Sequence, residues 1–415
     1  MTRELFLNSV NEMKLLFEKL ASFTVYPENK GVTRLAYTPT DQLAHQYMIE
    51  TMQKAGFTVR QDAIGNIFCR LPGKNPDLPA VGTGSHLDTV PNGGAYDGTL
   101  GVVAGFYALM QFEPQQLSRS LELVIFRAEE SSRFGFSCIG SKVLLGKVDR
   151  EKWALNRDDD GRSFFDVLDS LGYPSHEIEQ CQLADNHYSA FIEMHIEQGR
   201  RLELEGKSVG IVNGIAAPTR FQVQVTGHAD HSGATPMYQR HDALVASAAI
   251  ISDVNRAACC ESVWGTVGTI GKLNVYPNSM NVIPGEVNFL VDIRGIEPES
   301  IARVATHLKN SIKKSEQDND VSIQIREISA EAPVKLNNEI CQCIEQHCLE
   351  QNIGYMTMLS GAGHDSMNLA QKFPTAMIFT PSKNGISHHP DEFTDFDDII
   401  IAANLLKDTL YSLAK

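Results

Sequence analysis

Apolar positions along the chain follow two rhythms. Phe6, Val10, Met13, Phe17 and Leu20 recur at steps of four and three, which lines one face of an α-helix. A second helix is expected from Thr40, as N-cap, to about Ala55, with Gly56 as its stop. Short strand-like runs follow at Phe57–Arg60, Ile67–Leu71 and Ala80–Ser85, and a helix fits Thr99–Phe112. Leu121–Phe126, Ala190–Met194 and Thr375–Thr380 are dominated by apolar residues, as in strands covered on both faces. Helices alternating with such strands predict an α/β sheet flanked by helices.

The middle of the chain reads differently. Phe221, Val223 and Val225 alternate within Arg220–Thr226; so do Val287, Phe289, Val291 and Ile293, and again Val321, Ile323 and Ile325. Asp242–Asn255 and Pro298–Lys314 have helical spacing, and Ser262–Gly271 is a strand candidate. The order β-α-β-β-α-β is the split unit of ferredoxin-like domains. Half-exposed alternation predicts helices on one sheet face, with the other wet or paired. An α+β domain at 214–329 is therefore expected, inserted into a larger domain made of 1–213 and 330–415.

Composition narrows the class. A chain of 415 residues is too long for one core. Hydrophobic residues at 42% and charged residues at 21% exclude a disordered or fibrous chain. The longest apolar stretches, Gly101–Met110 and Ile399–Leu406, fall short of the ~20 residues of a membrane span. Met1-Thr2-Arg3-Glu4 opens no signal-peptide pattern, so a cytoplasmic protein with no membrane partner is expected. Lys+Arg number 36 against 51 Asp+Glu, a formal net charge of −15. Such a surface repels phosphate backbones, which excludes nucleic acid as a natural partner, but it tolerates bound divalent cations. The eight cysteines form no CxxC pair and read as reduced thiols. Cys341, Cys343, Cys348 and His347 share a helix-like stretch, Asn337–Gln351, where i and i+2 face apart, so a structural helix is expected there.

Chemistry concentrates after the apolar strands. His86 follows one directly, with Asp88 two residues on, where its carboxylate could hold the imidazole's other N–H. Asp97 is flanked by glycines in a turn that opens a helix; it either starts that helix or ligates. Gly82-Thr83-Gly84 lacks the third glycine of a dinucleotide fingerprint, since position 87 is leucine. Glu129 and Glu130 follow Leu121–Phe126; adjacent carboxylates there repel unless a cation sits by them, and one that binds metal leaves the other free as a base. Glu193-Met194-His195 ends a third strand, and Ser387-His388-His389 follows a fourth. His86, Glu130, His195 and His388 thus converge on the carboxyl ends of strands, where open α/β sheets bind ligands. With Asp97 they form an N/O set suited to two Zn²⁺-like ions.

The motifs GSHLDTV, GGAYDG, AEES, EMHIEQG, GHADHSGATPM, PNSMNVIPG, SGAGHD and NGISHHPDE, in that order, resemble the amidase, hydantoinase/carbamoylase family of the di-metal aminoacylase and carboxypeptidase group. The resemblance spans essentially the whole chain. It implies a di-metal aminopeptidase-like catalytic domain with a mixed central sheet, plus the inserted domain as lid and homodimer contact. By that resemblance His86, Asp97 and His195 hold one metal, and Asp97 bridges to a second held by Glu130 and His388, selected over His389 by the Gly-x-Ser-His pattern. Glu129 is then the general base, Asp88 orients His86, and His231 stabilises the oxyanion. Arg294 clamps a substrate carboxylate, with Asn281, Gln198, Gly361 and Ala362 as further substrate contacts. The cofactors implied are two divalent ions per subunit, Zn or Mn, Co or Ni. The substrates implied are small ureido or amide carboxylates: N-carbamoyl-L-amino acids first, then allantoate, β-ureido acids, or acylated amino acids and peptides. A metal-free ligand-binding homologue is the alternative of a different class.

Overall fold

A computed structural model describes residues 10–330 and 332–415. Phe6 lies outside them; the first helix is Val10–Ala21, whose Met13, Phe17 and Leu20 enter the core. The second helix is Pro39–Lys54, and its cap is Thr38 rather than Thr40. Thr38 Oγ1 accepts the Asp41 N–H, and Pro39 supplies a preformed first turn that sets the start two residues earlier.

In chain order the strands are β1 (Thr58–Gln61), β2 (Ile67–Leu71), β3 (Ala80–His86), β4 (Leu121–Phe126), β5 (Tyr188–Ile196), β6 (Val209–Ile215), β7 (Ala217–Thr226), β8 (Asp230–His231), β9 (Val267–Tyr276), β10 (Val282–Ile283), β11 (Glu286–Gly295), β12 (Ser322–Ala330), β13 (Val334–Lys335), β14 (Tyr355–Ser360) and β15 (Thr375–Thr380). The largest sheet runs β1-β2-β4-β3-β5-β15-β6-β13, with β14 also on β6. It is mixed: β4, β3, β5 and β15 are parallel, while β2 joins β4, and β6 joins β15, antiparallel. Alternate residues serve two cores. Leu121, Leu123 and Ile125 face one side with helices Thr99–Met110 and Phe396–Ala414; Val124 and Phe126 face the other with Phe134, Trp153 and Phe164. Two carboxylates sit inside these strands, each satisfied. Glu122 meets His187 Nε2 at 2.7 Å and the Tyr188 hydroxyl at 2.7 Å; Glu193 accepts from Ser85 Oγ at 2.9 Å and the Ser366 N–H at 3.0 Å. The cysteines carry no disulfide, and Cys341 and Cys348 are packed in the first of the two cores.

The chain divides into two compact units: residues 1–213, 336–358 and 364–415 in the first, and 214–335 with 359–363 in the second. The second is built on an antiparallel sheet in the order β12-β7-β11-β9. Phe221, Val223, Val225, Val287, Phe289, Val291 and Ile293 are buried beneath helices Ala243–Glu261 and Pro298–Asn319, while Gln222, Gln224 and Asn288 on the opposite face are half-buried. Both helices outrun the sequence expectation. Ser262–Trp264 form a further helical turn, stopped by Gly265 at φ 73°, and this pushes the strand expected at Ser262–Gly271 to β9. Ala243–Trp264 is long and apolar enough by composition to cross a bilayer, but its Ala246, Ile250, Val254 and Ala257 are packed in the core of this unit.

Candidate metal centre

The parallel strands deliver their carboxyl ends to one edge of the sheet. His86 ends β3, Glu129 and Glu130 follow β4, His195 lies one residue before the end of β5, and His388 follows β15. Parallel pairing brings them together because it aligns strand ends that are distant in sequence.

Asp97 is the centre of the group. Its Oδ1 lies 3.0 Å from His195 Nε2 and 3.7 Å from His86 Nε2. Its Oδ2 lies 3.0 Å from His388 Nε2, which is 3.3 Å from Glu130 Oε1. Two donor sets result, His86–Asp97–His195 and Asp97–Glu130–His388, each with ligand atoms within 4.8 Å of one another. Asp97 belongs to both. His86 Nδ1 faces the Asp88 carbonyl at 2.9 Å, and His195 Nδ1 faces the Ile196 carbonyl at 2.9 Å. A carbonyl only accepts, so each Nδ1 carries a proton, and Nε2 is the nitrogen that faces the centre and can ligate once it is unprotonated. Gly98 has φ 63°, and a Cβ there would overlap the His86 ring. The glycine after Asp97 is therefore needed both for its backbone conformation and for space.

Asp88 differs in detail from the expectation. Its carbonyl takes the hydrogen bond of the His86 imidazole at 2.9 Å, and its carboxylate stands 3.7 Å from the same nitrogen. The carboxylate instead accepts the N–H groups of Glu129 at 3.1 Å and Glu130 at 3.0 Å, tying the β3 loop to the β4 loop. Ala128, at φ 53°, turns the chain so that Glu129 and Glu130 part company. Glu130 faces His388. Glu129 Oε1 accepts from the Cys138 thiol at 3.2 Å, and its Oε2 lies 3.8 Å from His86 Nε2.

Electrostatics fit a cation. Burial raises the Glu129 carboxyl well above its usual range, and Glu130 and Asp365 push it further. Burial disfavours the His195 imidazolium, but Asp97 outweighs it and brings its pKa to about 9. Hydrogen bonds to Asp97 and Glu130 lift His388 to about 10. His86, farther from Asp97, drops to about 4 through burial. The concentrated negative potential that draws protons onto two histidines suits divalent ions, which compete with those protons. The donors, imidazole and carboxylate, fit Zn²⁺, Mn²⁺, Co²⁺ or Ni²⁺.

Comparison with known proteins places this geometry. The peptidase family M20/M25/M40 profile matches residues 82–412. The chain belongs to that family. Members generally depend on two metal ions, and the chain is a hydrolytic enzyme. It is 36% identical to the N-carbamoyl-L-amino-acid amidohydrolase of a Pseudomonas species, covering 92% of this chain and 93% of the relative. It is 35% identical to the allantoate amidohydrolase of Escherichia coli, over 95% and 96% of the two chains. It is also 35% identical to the ureidoglycolate hydrolase of rice, Oryza sativa, over 94% and 81%. The crystal structure of an amidase of the hydantoinase/carbamoylase family from Burkholderia multivorans superposes with a TM-score of 0.90 at 31% identity, covering 98% of each chain.

Within this M20 enzyme the remaining candidates fall in two places. Gln198 joins the metal group: its Nε2 donates to Asp97 Oδ2 at 2.9 Å. His231, Asn281, Arg294, Gly361 and Ala362 belong to the second unit. His231 is exposed, and its Nδ1 accepts N–H groups from Gly233 and Ala234, both at 3.1 Å, which puts the ring proton on Nε2. Arg294 grips Asp292 through Nε and Nη2, each at 3.1 Å, and donates from Nη1 to the Gly361 carbonyl at 3.0 Å. Asn281 is exposed and accepts from Ser279 Oγ at 3.0 Å; the Ala362 N–H donates to Ser360 Oγ at 3.2 Å. The sequence reading missed Cys138, Ser387 and Glu392 as neighbours of the centre. Ser387 and Glu392 stand in the motif that supplied His388, and that proximity was the available signal.

Proposed function

We propose that this enzyme is a two-metal amidohydrolase that cleaves the ureido C–N bond of N-carbamoyl-L-amino acids, giving the L-amino acid, CO₂ and ammonia. The observation that carries the reading is the pair of donor sets sharing Asp97, with Glu129 beside them and free of both. His86, Asp97 and His195 would hold one ion, and Asp97, Glu130 and His388 the other. Bound there, the ions polarise the carbonyl and lower the pKa of water. Glu129, its carboxyl raised by burial, takes a proton from the attacking water and passes it to the leaving nitrogen. The Cys138 thiol occupies Oε1 and leaves Oε2 for that transfer. His231 Nε2–H is a donor suited to the developing oxyanion. Arg294 would turn its outer edge, Nη1 and Nη2, to the substrate carboxylate.

The choice of substrate rests on Asp88-Thr89-Val90-Pro91-Asn92-Gly93-Gly94, which resembles the carbamoylase branch, and on the named carbamoyl relative. Allantoate is the second reading, favoured by the Escherichia coli relative. We further propose a cytoplasmic homodimer formed through the second unit. Its edge strand β9 exposes Val267, Leu273 and Tyr276, an unpaired row that a second copy could extend. The test is ammonia release from N-carbamoyl amino acids, allantoate and N-acyl amino acids, before and after chelation. Chelation should abolish turnover and Mn²⁺, Co²⁺ or Zn²⁺ restore it. Undiminished turnover by metal-free protein would refute the metal reading. Faster release from allantoate than from any N-carbamoyl amino acid would move the assignment to the second reading.

A further inference from the structure

We infer that Glu392 is a positioning residue that clasps the two loops carrying Asp97 and His388, and thereby sets both donor groups. The inference rests on the metal reading above and deepens it. Glu392 is 6% exposed and lies four residues beyond His388. Its Oε1 accepts two consecutive N–H groups, from Tyr96 at 2.9 Å and Asp97 at 3.0 Å. Its Oε2 accepts from Ser387 Oγ at 3.0 Å, and Ser387 Oγ also lies 3.2 Å from Asp97 Oδ2. The Glu392 N–H donates to the His389 carbonyl at 3.0 Å, which closes the turn behind His388. One buried carboxylate therefore fixes the main chain of Asp97 with one oxygen and the residue next to His388 with the other.

The fit is close. A Cβ at Gly94 would overlap the Glu392 carboxylate, so the 93–98 loop can lie against it only with glycine there. Asp97 serves both donor sets, so a shift of its main chain displaces ligands of both ions. His388 is half-exposed and sits at φ 54°, so its hold on position comes from its neighbours rather than from burial. Outer partners of this kind orient the atoms that ligate, and losing one typically lowers metal affinity by about 10–100-fold.

The variants divide the interaction. Glu392→Ala removes all three acceptor contacts and leaves two N–H groups without their partner. Glu392→Gln keeps one oxygen for the Tyr96 and Asp97 N–H groups, while its NH₂ can donate to Ser387 Oγ, whose proton then turns to Asp97. Metal-free wild type, Glu392→Ala, Glu392→Gln and Asp97→Ala are titrated with Zn²⁺ by calorimetry, and bound metal is counted. Circular dichroism and the melting temperature of each metal-free protein report the fold. Glu392→Ala should bind Zn²⁺ about 10–100-fold more weakly while its metal-free form keeps the wild-type circular dichroism spectrum and a cooperative melt, with Glu392→Gln restoring most of the affinity. Wild-type affinity in Glu392→Ala, alongside metal loss in Asp97→Ala, would overturn the clasp and leave the metal reading intact. Two ions retained by Asp97→Ala would overturn the metal reading itself. If Glu392→Ala does not fold, Ser387→Ala removes the Oε2 arm together with the Ser387 contact to Asp97 Oδ2; unchanged Zn²⁺ affinity there would equally overturn the clasp.

Discussion

Arg127 stands two residues before Glu129 and is fully buried, and replacing it with methionine tests how the turn that carries Glu129 is anchored. Its Nη2 lies 2.9 Å from Asp41 Oδ2 and 3.0 Å from Gln42 Oε1, and its guanidinium lies 4.4 Å from the Tyr37 ring centroid. Asp41 is equally buried, with the Tyr37 N–H at 2.7 Å and His45 Nδ1 at 3.1 Å. Burial pushes the Asp41 carboxyl up, but Arg127 and His45 outweigh it and hold it well below the usual range. Arg127→Met keeps an unbranched apolar stem, removes the guanidinium and strands that carboxylate without its cation. Breaking a buried pair from one side costs about 3–5 kcal/mol, two to nearly four powers of ten in the folding equilibrium. Asp41→Asn should cost a similar amount, and the double variant clearly less than the sum, with a coupling energy above about 1.5 kcal/mol. The assay is urea denaturation at fixed metal content, reading the midpoint shift at constant slope. The pH dependence has a definite sign. In wild type the depressed Asp41 contributes stability that is complete above its unfolded pKa near 3.9 and is lost as pH falls through the folded value. In the variant, burial without the cation raises that pKa, so the penalty is present above about pH 3.9 and relieved below it. The gap between wild type and Arg127→Met should therefore narrow on acidification. Additive single costs, or a gap independent of pH, would refute the reasoning.

Three further outcomes are expected. Glu129→Gln should cut the rate by at least ~10²–10⁴-fold with metal retained, whereas Glu130→Gln should lose the second ion; metal loss in the first and not the second would reverse the roles. Arg294→Lys should raise KM for carboxylate substrates by roughly 10–150-fold, the equivalent of ~1.5–3 kcal/mol for a charged hydrogen-bonded pair, and leave uncharged amides almost unchanged; equal effects on both would assign Arg294 to its Asp292 contact alone. Mixing Glu129→Gln with His231→Ala subunits should restore activity if His231 serves the neighbouring subunit, since one site then holds intact Glu129 and His231; no recovery despite proven subunit exchange would count against a shared site.

Much of the fold was legible because burial leaves a period. Leu121–Phe126 and Thr375–Thr380 are strands at the expected residues, and the alternation at Phe221–Val225 and Val287–Ile293 marked half-buried strands. Other elements carried no such mark. Gly210, Asn213 and Gly214 interrupt β6, and the helices at Ile139–Leu144, Arg150–Leu155 and Phe164–Ser170 are too short to show a stripe. At the candidate metal centre the convergence of imidazoles and carboxylates was readable because those side chains are the usual donors to such ions. What supports them was not. The Asp88 carbonyl acts through a main-chain atom that every residue possesses, and Glu392 reaches Tyr96 and Asp97 across nearly three hundred positions of sequence.

The order of the sheet also bears on how the enzyme is made. β15 lies between β5 and β6, so the first unit's sheet cannot be completed until residue 380 has been synthesised. The four-stranded sheet of the second unit and the two helices packed on it fall within 217–330, a contiguous stretch with its own core; Gly214–Ile215 pair with Val334–Lys335 where the chain enters and leaves, and only 359–363 of that unit come later. We expect the insert to fold on the ribosome first, while the surrounding unit waits with apolar β3, β4 and β5 unsheltered. Protease resistance of the 214–335 segment in chains stalled near residue 370 would show this, and digestion of that segment along with the rest would exclude it. His388 is the last candidate donor to emerge, so a nascent chain holds both donor sets only after residue 388 has been translated.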